Sequence, residues 1–306
     1  MKDTILYGDC RDTIPTITEP VQMCVTSPPY YGLRDYGGED KQIGQEGSPE
    51  EFIDQLVEVF KKVRNVLTDD GTLWVNMGDT YYNYRSDGNY PKQTVSKTNQ
   101  DLPSFSPARG NKLKGLKSKD LIGIPWMLAF ALRKDGWYLR QDIIWHKPNP
   151  MPESVKDRCT KSHEYIFLLS KSKNYYYDNE AIKEPAKDWG TRDRTNGKYH
   201  NKGTGLQPHS GLSKSYPTKN KRSVWTVTSK PYKEAHFATY PPDLIEPCIK
   251  AGSQKGDIIL DPFMGSGTTA MVSKQLDRHF IGCELHDSYK TLINGRLPNT
   301  ALSDLF

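Results

Sequence analysis

The sequence predicts an α/β fold, in which helices pack on a mixed, mostly parallel sheet. Three observations support this prediction. Short apolar runs alternate with segments of helical period over much of the chain. One apolar run, residues 257–260, leads into a Gly-x-Gly turn and a helix, which is typical of a βαβ unit. At 306 residues, the chain is long enough to bury a sizeable core in one large domain.

The first elements follow from apolar runs and from helix-start signals. Residues 4–8 and 21–26 are predicted to be short buried strands, and Pro28-Pro29 prevents the second from continuing. A helix is predicted to begin at Ser48-Pro49, a cap followed by a first-turn proline. Its apolar face comprises Phe52, Leu56, Val59, Phe60, Val63 and Leu67. We expect Gly71 to end this region and residues 72–76 to return as a strand.

The middle of the chain alternates between periodic and irregular segments. Residues 120–134 are predicted to be helical, and residues 138–146 and 164–169 are predicted to be strands that pair near one edge of the sheet. Residues 80–119 are rich in polar residues, Gly and Pro, which predicts a long loop. Residues 179–235 are again basic and low in apolar content.

The last third of the chain contains the predicted βαβ unit. A helix over residues 243–251 leads to the strand of residues 257–260. A helix over residues 268–276 and a strand over residues 280–283 complete the unit. Glycines at positions 265 and 267 allow a sharp turn between strand and helix.

Composition excludes several classes of protein. Hydrophobic residues make up 35% of the chain, and no apolar run reaches the length of a membrane span. The first residues lack the apolar core of a signal peptide. The five cysteines are scattered without a CxxC pair, so neither a disulfide framework nor a zinc site is expected. We therefore expect a cytoplasmic protein without a metal.

The net charge of +5 conceals a strong asymmetry along the chain. Residues 183–233 contain twelve Lys or Arg against three acidic residues, and residues 81–119 contain eight against two. The rest of the chain is acidic. Two basic insertions on an acidic body are typical of proteins that bind a phosphate backbone, although solvated loops have the same composition.

The Gly-x-Gly turn suits a nucleotide-like ligand. Its glycines let the backbone approach a ligand closely, and the following helix offers free N–H groups. Glu284 follows at the end of the next strand, where a carboxylate can accept hydrogen bonds from ribose hydroxyls.

The Ser27-Pro28-Pro29-Tyr30 segment suits an exocyclic amine on a flat base. The lone pair of such an amine is delocalised into the ring, and two acceptors that hold its hydrogens would make it available. The Ser27 hydroxyl and the Pro28 carbonyl are the candidate acceptors, and the prolines fix the direction of that carbonyl. Tyr30 offers a face on which the base can stack.

These two segments together resemble the amino-methyltransferases of DNA, which use S-adenosylmethionine. Their order along the chain, with the amine motif first, resembles the β class of that family. The resemblance implies a Rossmann-like methyltransferase fold with a circularly permuted motif order. It places the catalytic domain at residues 1–80, 120–178 and 236–306, with 81–119 as a basic insertion and 179–235 as a target-recognition region. The base of duplex DNA must flip out to reach the amine site.

The resemblance also assigns the cofactor contacts. Asp261 lies near the methionine part of S-adenosylmethionine in this family, and the counterpart of Glu284 binds the ribose. Asp9 resembles the acid near the adenine. The complete implied set for the cofactor is Asp9, Thr239, Pro241, Asp261, Phe263, Gly265, Gly267, Thr268 and Glu284.

Ser27 indicates the base that is methylated. Family members with Ser at this position mostly modify cytosine N4, whereas members with Asp mostly modify adenine N6. We therefore predict cytosine N4 as the target, with adenine N6 as the alternative. A restriction endonuclease partner and a monomer or homodimer are both compatible with the family.

Other interpretations of the sequence are open. Cytosine C5 methylation needs a Pro-Cys nucleophile, but Pro247-Cys248 falls inside a predicted helix, where a core-facing cysteine is expected. RNA methylation, a non-catalytic DNA-binding relative and a nicotinamide oxidoreductase are further alternatives. The turn lacks the full Gly-x-Gly-x-x-Gly of the last class. The segments 147–152 and 162–165 resemble family segments, and we assign His163 no catalytic role.

Overall fold

The computed structural model describes residues 1–32, 41–82, 113, 115–186, 217–229 and 240–297. In these residues an eight-stranded mixed sheet has helices against both faces. The described strands are β1 (Thr4–Tyr7), β2 (Val21–Thr26), β3 (Leu67–Met77), β4 (Tyr138–His146), β5 (His163–Ser170), β6 (Glu184–Pro185), β7 (Thr218–Lys219), β8 (Val224–Thr226), β9 (Ile258–Asp261) and β10 (His279–Glu284). The described α-helices are α1 (Cys10–Thr13), α2 (Pro49–Val66), α3 (Ile124–Lys134), α4 (Pro242–Gly252), α5 (Thr268–Gln275) and α6 (Lys290–Arg296).

The large sheet has the strand order β1-β10-β9-β2-β3-β5-β4-β8. β5 runs antiparallel to both of its neighbours, and the other neighbouring pairs are parallel. β9, α5 and β10 form the predicted βαβ unit, and β4 and β5 pair near one edge as expected. The α/β fold predicted from the sequence is confirmed.

The sheet is buried on both faces because its central strands alternate between two apolar clusters. Leu73, Val75 and Met77 of β3 pack in a cluster with α2 and α3, whereas Trp74 packs in a second cluster with α4. The buried side chains of α2 recur at helical spacing, as the sequence predicts, and its N-cap Ser48 accepts a hydrogen bond from the Glu51 N–H.

Two predicted boundaries differ from the structure by four or more residues. β3 begins at Leu67 rather than at residue 72, because its pairing with β2 already starts at Leu67, which lies opposite Val21. Gly71 consequently lies inside a strand and ends no element. The predicted helix of residues 120–134 starts only at Ile124, after Gly123.

The basic ranges are described only in part. Most of 81–119 and of 179–235 falls outside the described residues, and so do Thr239 and residues 298–306. In the described part of 179–235, β6 pairs with β7, and β8 extends the large sheet by pairing with β4. Trp225 of β8 is buried in the second apolar cluster. The division of the chain into a catalytic domain and insertions stays a prediction.

Candidate active site

The candidate site lies between β2 and β9, two neighbouring parallel strands whose connections lead to opposite sides of the sheet. β9 connects through α5 to β10 on one side, whereas the parallel β2 connects through α2 to β3 on the other. Such a switch point opens a crevice at the carboxyl ends of the strands. Thr26 ends β2 and Asp261 ends β9, and the Thr26 hydroxyl donates to Asp261 Oδ1 at 2.6 Å. This contact joins the two motif segments, which are far apart in the sequence.

Asp261 is the buried anchor of the crevice. Its side chain is 1% exposed, and burial raises its pKa. Oδ1 also accepts from the Phe263 N–H at 3.0 Å, and Oδ2 accepts from the Tyr240 hydroxyl at 2.9 Å and the Thr269 hydroxyl at 2.5 Å. These donors come from the glycine turn, from α5 and from the segment before α4. Asp261 therefore holds the crevice together from the end of β9.

The glycine turn between β9 and α5 is open towards the crevice. Gly267 has φ +81°, and a Cβ there would lie 3.2 Å from Ile293 Cγ2 of α6. Gly265 has φ +53°, but the nearest atom to its Cβ position is the Phe263 carbonyl oxygen at 3.9 Å. One glycine therefore permits close packing, and the other leaves space for a ligand. Thr268, the first residue of α5, is buried and accepts from Arg296 at 2.7 Å.

Glu284 lies beside this turn at the end of β10. Its Oε2 accepts from the Gly265 N–H at 2.8 Å, and its Oε1 accepts from the His286 N–H at 3.0 Å. Burial raises the pKa of Glu284 to about 7. Each carboxylate oxygen has a second lone pair with which it can accept a ribose hydroxyl. The open side of Gly265 and this carboxylate thus fit a nucleoside cofactor.

Asp9 and Pro241, two other predicted cofactor residues, flank this part of the crevice. Asp9 follows β1, whose neighbour is β10, and the Gly8 N–H donates to the Glu284 carbonyl at 2.8 Å. The Asp9 carboxylate caps α1 through the Arg11 N–H at 2.8 Å and pairs with the Arg11 guanidinium. Pro241 is the N-cap of α4, directly after Tyr240. The predicted Thr239 lies outside the described residues.

The Ser-Pro-Pro-Tyr segment leaves the end of β2 at the same edge. Pro28 is buried, and the Tyr30 hydroxyl donates to Glu164 Oε2 at 2.7 Å, with Asn76 Oδ1 3.3 Å away. A Cβ on Gly78 would lie only 2.7 Å from Tyr30 Cε2, so the ring packs directly on that backbone. The ring of Tyr30 is therefore fixed at its edge and at its hydroxyl.

The hydroxyl of Tyr30 stays protonated. Burial raises its pKa well above the usual value, and the Glu164 carboxylate adds to the rise, whereas a hydrogen bond with the Ser27 side chain opposes it. Tyr30 consequently acts as a hydrogen-bond donor to Glu164. The Ser27 side chain is hydrogen-bonded to the same hydroxyl.

Sequence reasoning misses the residues that hold Tyr30. Lys147 is predicted only as part of a segment that resembles the family, Glu164 only as part of such a segment and of a strand, and Asn76 only as part of a strand. Their roles depend on contacts between strands, and no local pattern reveals them. His163, to which we assign no catalytic role from the sequence, packs edge-on against Tyr165 with the ring centroids 5.5 Å apart.

The environment of Cys248 does not suit a catalytic nucleophile. It is fully buried in α4, and burial raises the pKa of its thiol. Its Sγ lies 3.7 Å from the Leu244 carbonyl oxygen, one helical turn back. The side chain packs with the second apolar cluster, as a core-facing cysteine does.

No α-helix in the described ranges combines the length and apolarity needed to cross a bilayer.

The strand order and the glycine turn with its carboxylate are those of an α/β domain with a crevice that fits a nucleoside cofactor. A family model described as DNA methylase, N6_N4_Mtase, matches residues 21–295. The chain therefore belongs to the N6/N4 family of DNA amino-methyltransferases, as the resemblance of its motifs predicts, and S-adenosylmethionine is its cofactor.

Two bacterial relatives match nearly the whole chain. The type II methyltransferase M.Cfr9I of Citrobacter freundii is 47% identical over 296 residues, which cover 96% of this chain and 87% of the relative. The type II methyltransferase M.SmaI of Serratia marcescens is 46% identical over 294 residues, which cover 96% of this chain and 90% of the relative.

Solved structures show the same fold. The PvuII DNA methyltransferase (cytosine-N4-specific) superposes with a TM-score of 0.64 at 17% identity, covering 98% of this chain and 88% of that one. A putative DNA modification methylase of Thermus thermophilus, complexed with S-adenosyl-L-methionine, gives a TM-score of 0.57 at 22% identity, covering 95% of this chain and 91% of that one. At these identities the likeness concerns the fold.

Proposed function

We propose that this protein transfers a methyl group to the exocyclic N4 amine of a flipped cytosine at a specific site in duplex DNA. The observation that carries the proposal is the placement of Ser27. It follows β2 at the switch point, next to the Thr26–Asp261 contact and within hydrogen-bonding contact of Tyr30. A base amine at Ser27 would thus lie beside the crevice that fits the cofactor.

Ser27 and Pro28 are the proposed acceptors for the amine hydrogens. Because the Tyr30 hydroxyl donates its hydrogen to Glu164, its oxygen can only accept from the Ser27 hydroxyl that is hydrogen-bonded to it. The lone pairs of the serine oxygen then remain available to the amine. Pro28 is buried and followed by a second proline, so the direction of its carbonyl is fixed before the base arrives.

Tyr30 is the proposed stacking platform, with Pro29 shaping the loop before it. One edge of its ring packs on Gly78, and its hydroxyl is tied to Glu164, so the ring enters the reaction already oriented. S-adenosylmethionine, when bound, supplies the methyl group from its sulfonium centre. Orientation and electrostatics would supply most of the rate enhancement, without a covalent bond between base and protein.

We assign the cofactor contacts to the crevice on the β9 and β10 side. Gly265, with its open side, and Glu284 are best placed to receive the nucleoside part. The further assigned contacts are Asp9, Thr239, Pro241, Asp261, Phe263, Gly267 and Thr268. Asp261 already accepts from four donors, so we propose that it acts on the cofactor mainly by shaping the crevice.

The choice of cytosine rests on Ser27, because family members with Ser at this position mostly modify cytosine N4. Adenine N6 is the alternative base within the same fold. A non-catalytic DNA-binding relative is the alternative of a different class. The related enzymes of Citrobacter and Serratia are named type II methyltransferases, which supports site-specific action and a restriction endonuclease partner for this chain. We leave monomer and homodimer as equal alternatives.

The test is to incubate the protein with S-adenosylmethionine and PCR-amplified bacterial genomic DNA, which carries no methylated bases. Mass spectrometry of the released nucleosides is expected to show N4-methylcytosine. N6-methyladenine would overturn the cytosine assignment and retain the mechanism. No methylated base, together with no cofactor binding in calorimetry, would support the non-catalytic alternative.

Two variants test the division of roles within the site. Ser27→Ala and Tyr30→Ala are expected to reduce kcat by roughly 10-fold or more, because each removes a contact with the base. Cofactor affinity measured by calorimetry should survive in both. Ser172→Ala, a serine remote from the crevice, is the matched control. Equal loss of cofactor affinity in both site variants would contradict the proposed division.

A further inference from the structure

Glu164 connects the target-base loop to the rigid part of the sheet. It lies near the start of β5, which pairs with both β3 and β4. Its Oε2 accepts from the Tyr30 hydroxyl at 2.7 Å and from Asn76 Nδ2 at 3.2 Å, and its Oε1 accepts from Lys147 Nζ. Three donors from three different parts of the chain thus converge on one carboxylate.

Lys147 supplies the positive charge that faces the Glu164 carboxylate. It directly follows β4, where Trp145 is paired with Glu164 across the two strands. The lysine and glutamate side chains are 20% and 15% exposed, so the ion pair is largely shielded from water. Lys147 Nζ also lies 4.1 Å from the centre of the Trp145 ring. The lysine is therefore held from two sides.

Asn76 ties the carboxylate to β3. Its side chain is 4% exposed, and Nδ2 donates to the Tyr165 carbonyl oxygen at 3.1 Å as well as to Glu164. This places an amide at hydrogen-bonding distance from both the strand backbone and the carboxylate. The position of the Glu164 oxygens is consequently set by two strands.

We propose that Glu164, with Lys147 and Asn76, is a positioning residue that fixes the hydroxyl end of the Tyr30 ring for stacking with the target base. This inference rests on the proposed stacking role of Tyr30. The contact of Cε2 with Gly78 limits rotation of the ring about its long axis but leaves the far end of that axis free to swing. The hydrogen bond to Glu164 fixes that end, so the two contacts together set the plane of the ring. A ring held at both points needs little reorganisation when the base arrives.

A proton-accepting role fits Glu164 less well than this positioning role. Its two oxygens already receive three hydrogen bonds, one of them from a lysine ammonium. A shielded ion pair contributes little net stability because both charges lose their hydration. Its benefit is geometric, since it keeps a charged acceptor at a fixed distance from the Tyr30 hydroxyl.

The test is a double-mutant cycle that combines Tyr30→Phe with Glu164→Ala. Tyr30→Phe keeps the stacking ring and removes only the hydroxyl. Methyl incorporation into PCR-amplified genomic DNA gives kcat and KM for each variant, and calorimetry gives the affinity for S-adenosylmethionine. Glu246→Gln, which alters an ion-paired glutamate of α4, is the matched control, and thermal unfolding reports whether each variant folds.

Each single variant is expected to lower kcat by roughly 10-fold to 100-fold, the range for a hydrogen bond to a charged group, with cofactor affinity unchanged. The double variant should be no slower than the slower single variant, because both act through one contact. Glu164→Gln, which keeps an acceptor for the hydroxyl, should recover part of the loss. The control should match the wild-type protein.

Multiplying losses in the double variant would overturn the inference, since Glu164 would then act independently of the Tyr30 hydroxyl. An unchanged kcat in Tyr30→Phe would overturn it as well, and this variant keeps the test valid if Glu164→Ala fails to fold. The base identified by mass spectrometry has no influence on this cycle. A wrong cytosine assignment and a wrong positioning role are therefore distinguishable.

Discussion

The buried carboxyl of Glu284 predicts a specific dependence of stability on pH. Burial raises its pKa from an ordinary 4.5 to about 7 in the folded protein. The folded state therefore binds the proton more tightly than the unfolded chain does. Its stabilising contribution is complete below pH 4.5 and is lost as the pH rises through 7. The full difference corresponds to about 3 kcal/mol, of which roughly 2.5 kcal/mol falls between about pH 5 and pH 8.

The substitution Glu284→Gln isolates this effect because glutamine is similar in shape and does not titrate. Urea unfolding of both proteins at pH 5, 6, 7 and 8 gives the free energy of unfolding at each pH. The wild-type protein should lose stability relative to the variant by roughly 2 to 3 kcal/mol over this range. Glu246→Gln, on the outer side of α4, should show no such relative change.

Cofactor binding is expected to have the opposite dependence on pH. Ribose hydroxyls donate to a carboxylate, so binding favours the ionised form of Glu284 and releases a proton at pH values below about 7. Calorimetry in buffers of different ionisation enthalpy measures that release. If the wild-type protein and Glu284→Gln show parallel stability curves from pH 5 to pH 8, the reasoning from burial is refuted.

Three further substitutions test separate parts of the site. Gly78→Ala would place a methyl group 2.7 Å from Tyr30 Cε2 and should lower kcat by roughly 10-fold, with cofactor affinity unchanged in calorimetry. A normal kcat would show that the ring tolerates displacement. Gly267→Ala forces φ +81° on alanine, costing about 1–2 kcal/mol in urea unfolding, and should weaken cofactor binding. Unchanged affinity for the cofactor would show that the turn at Gly267 does not contribute to cofactor binding. Cys248→Ser should retain methylation of DNA, and complete loss in a folded variant would restore the C5 alternative.

The strong local patterns of the sequence predict most of the fold. The apolar face of α2 repeats along the whole helix, and the run Ile258-Ile259-Leu260 is buried on both faces, so neighbouring residues alone reveal them. β8 escapes prediction because only Trp225 of its three residues is buried. Its identity as a strand comes from pairing with β4, where Trp145 lies opposite Trp225 although the two are far apart in the chain.

The site is predictable where its chemistry is carried by the backbone. Prolines 28 and 29 and the glycines at 265 and 267 restrict or free the chain locally, and that is visible in the sequence. The hydrogen bond that holds Tyr30 is not predictable from the sequence. Its acceptor, Glu164, is a single polar residue at the start of a strand, and no local pattern marks it. Its contact with the tyrosine spans 134 positions and arises only from the strand order.

The Thr26–Asp261 contact also has a consequence for how the protein is made. The two residues are separated by 235 positions, so the centre of the sheet has a very high contact order. During translation β2 and β3 emerge early, but the second neighbour of β2 is synthesised only with Ile258 and the residues that follow. Until then, one edge of β2 is unpaired in the nascent chain, and exposed strand edges favour aggregation. Methylating activity should therefore appear late in synthesis and all at once, when the last strands close the sheet.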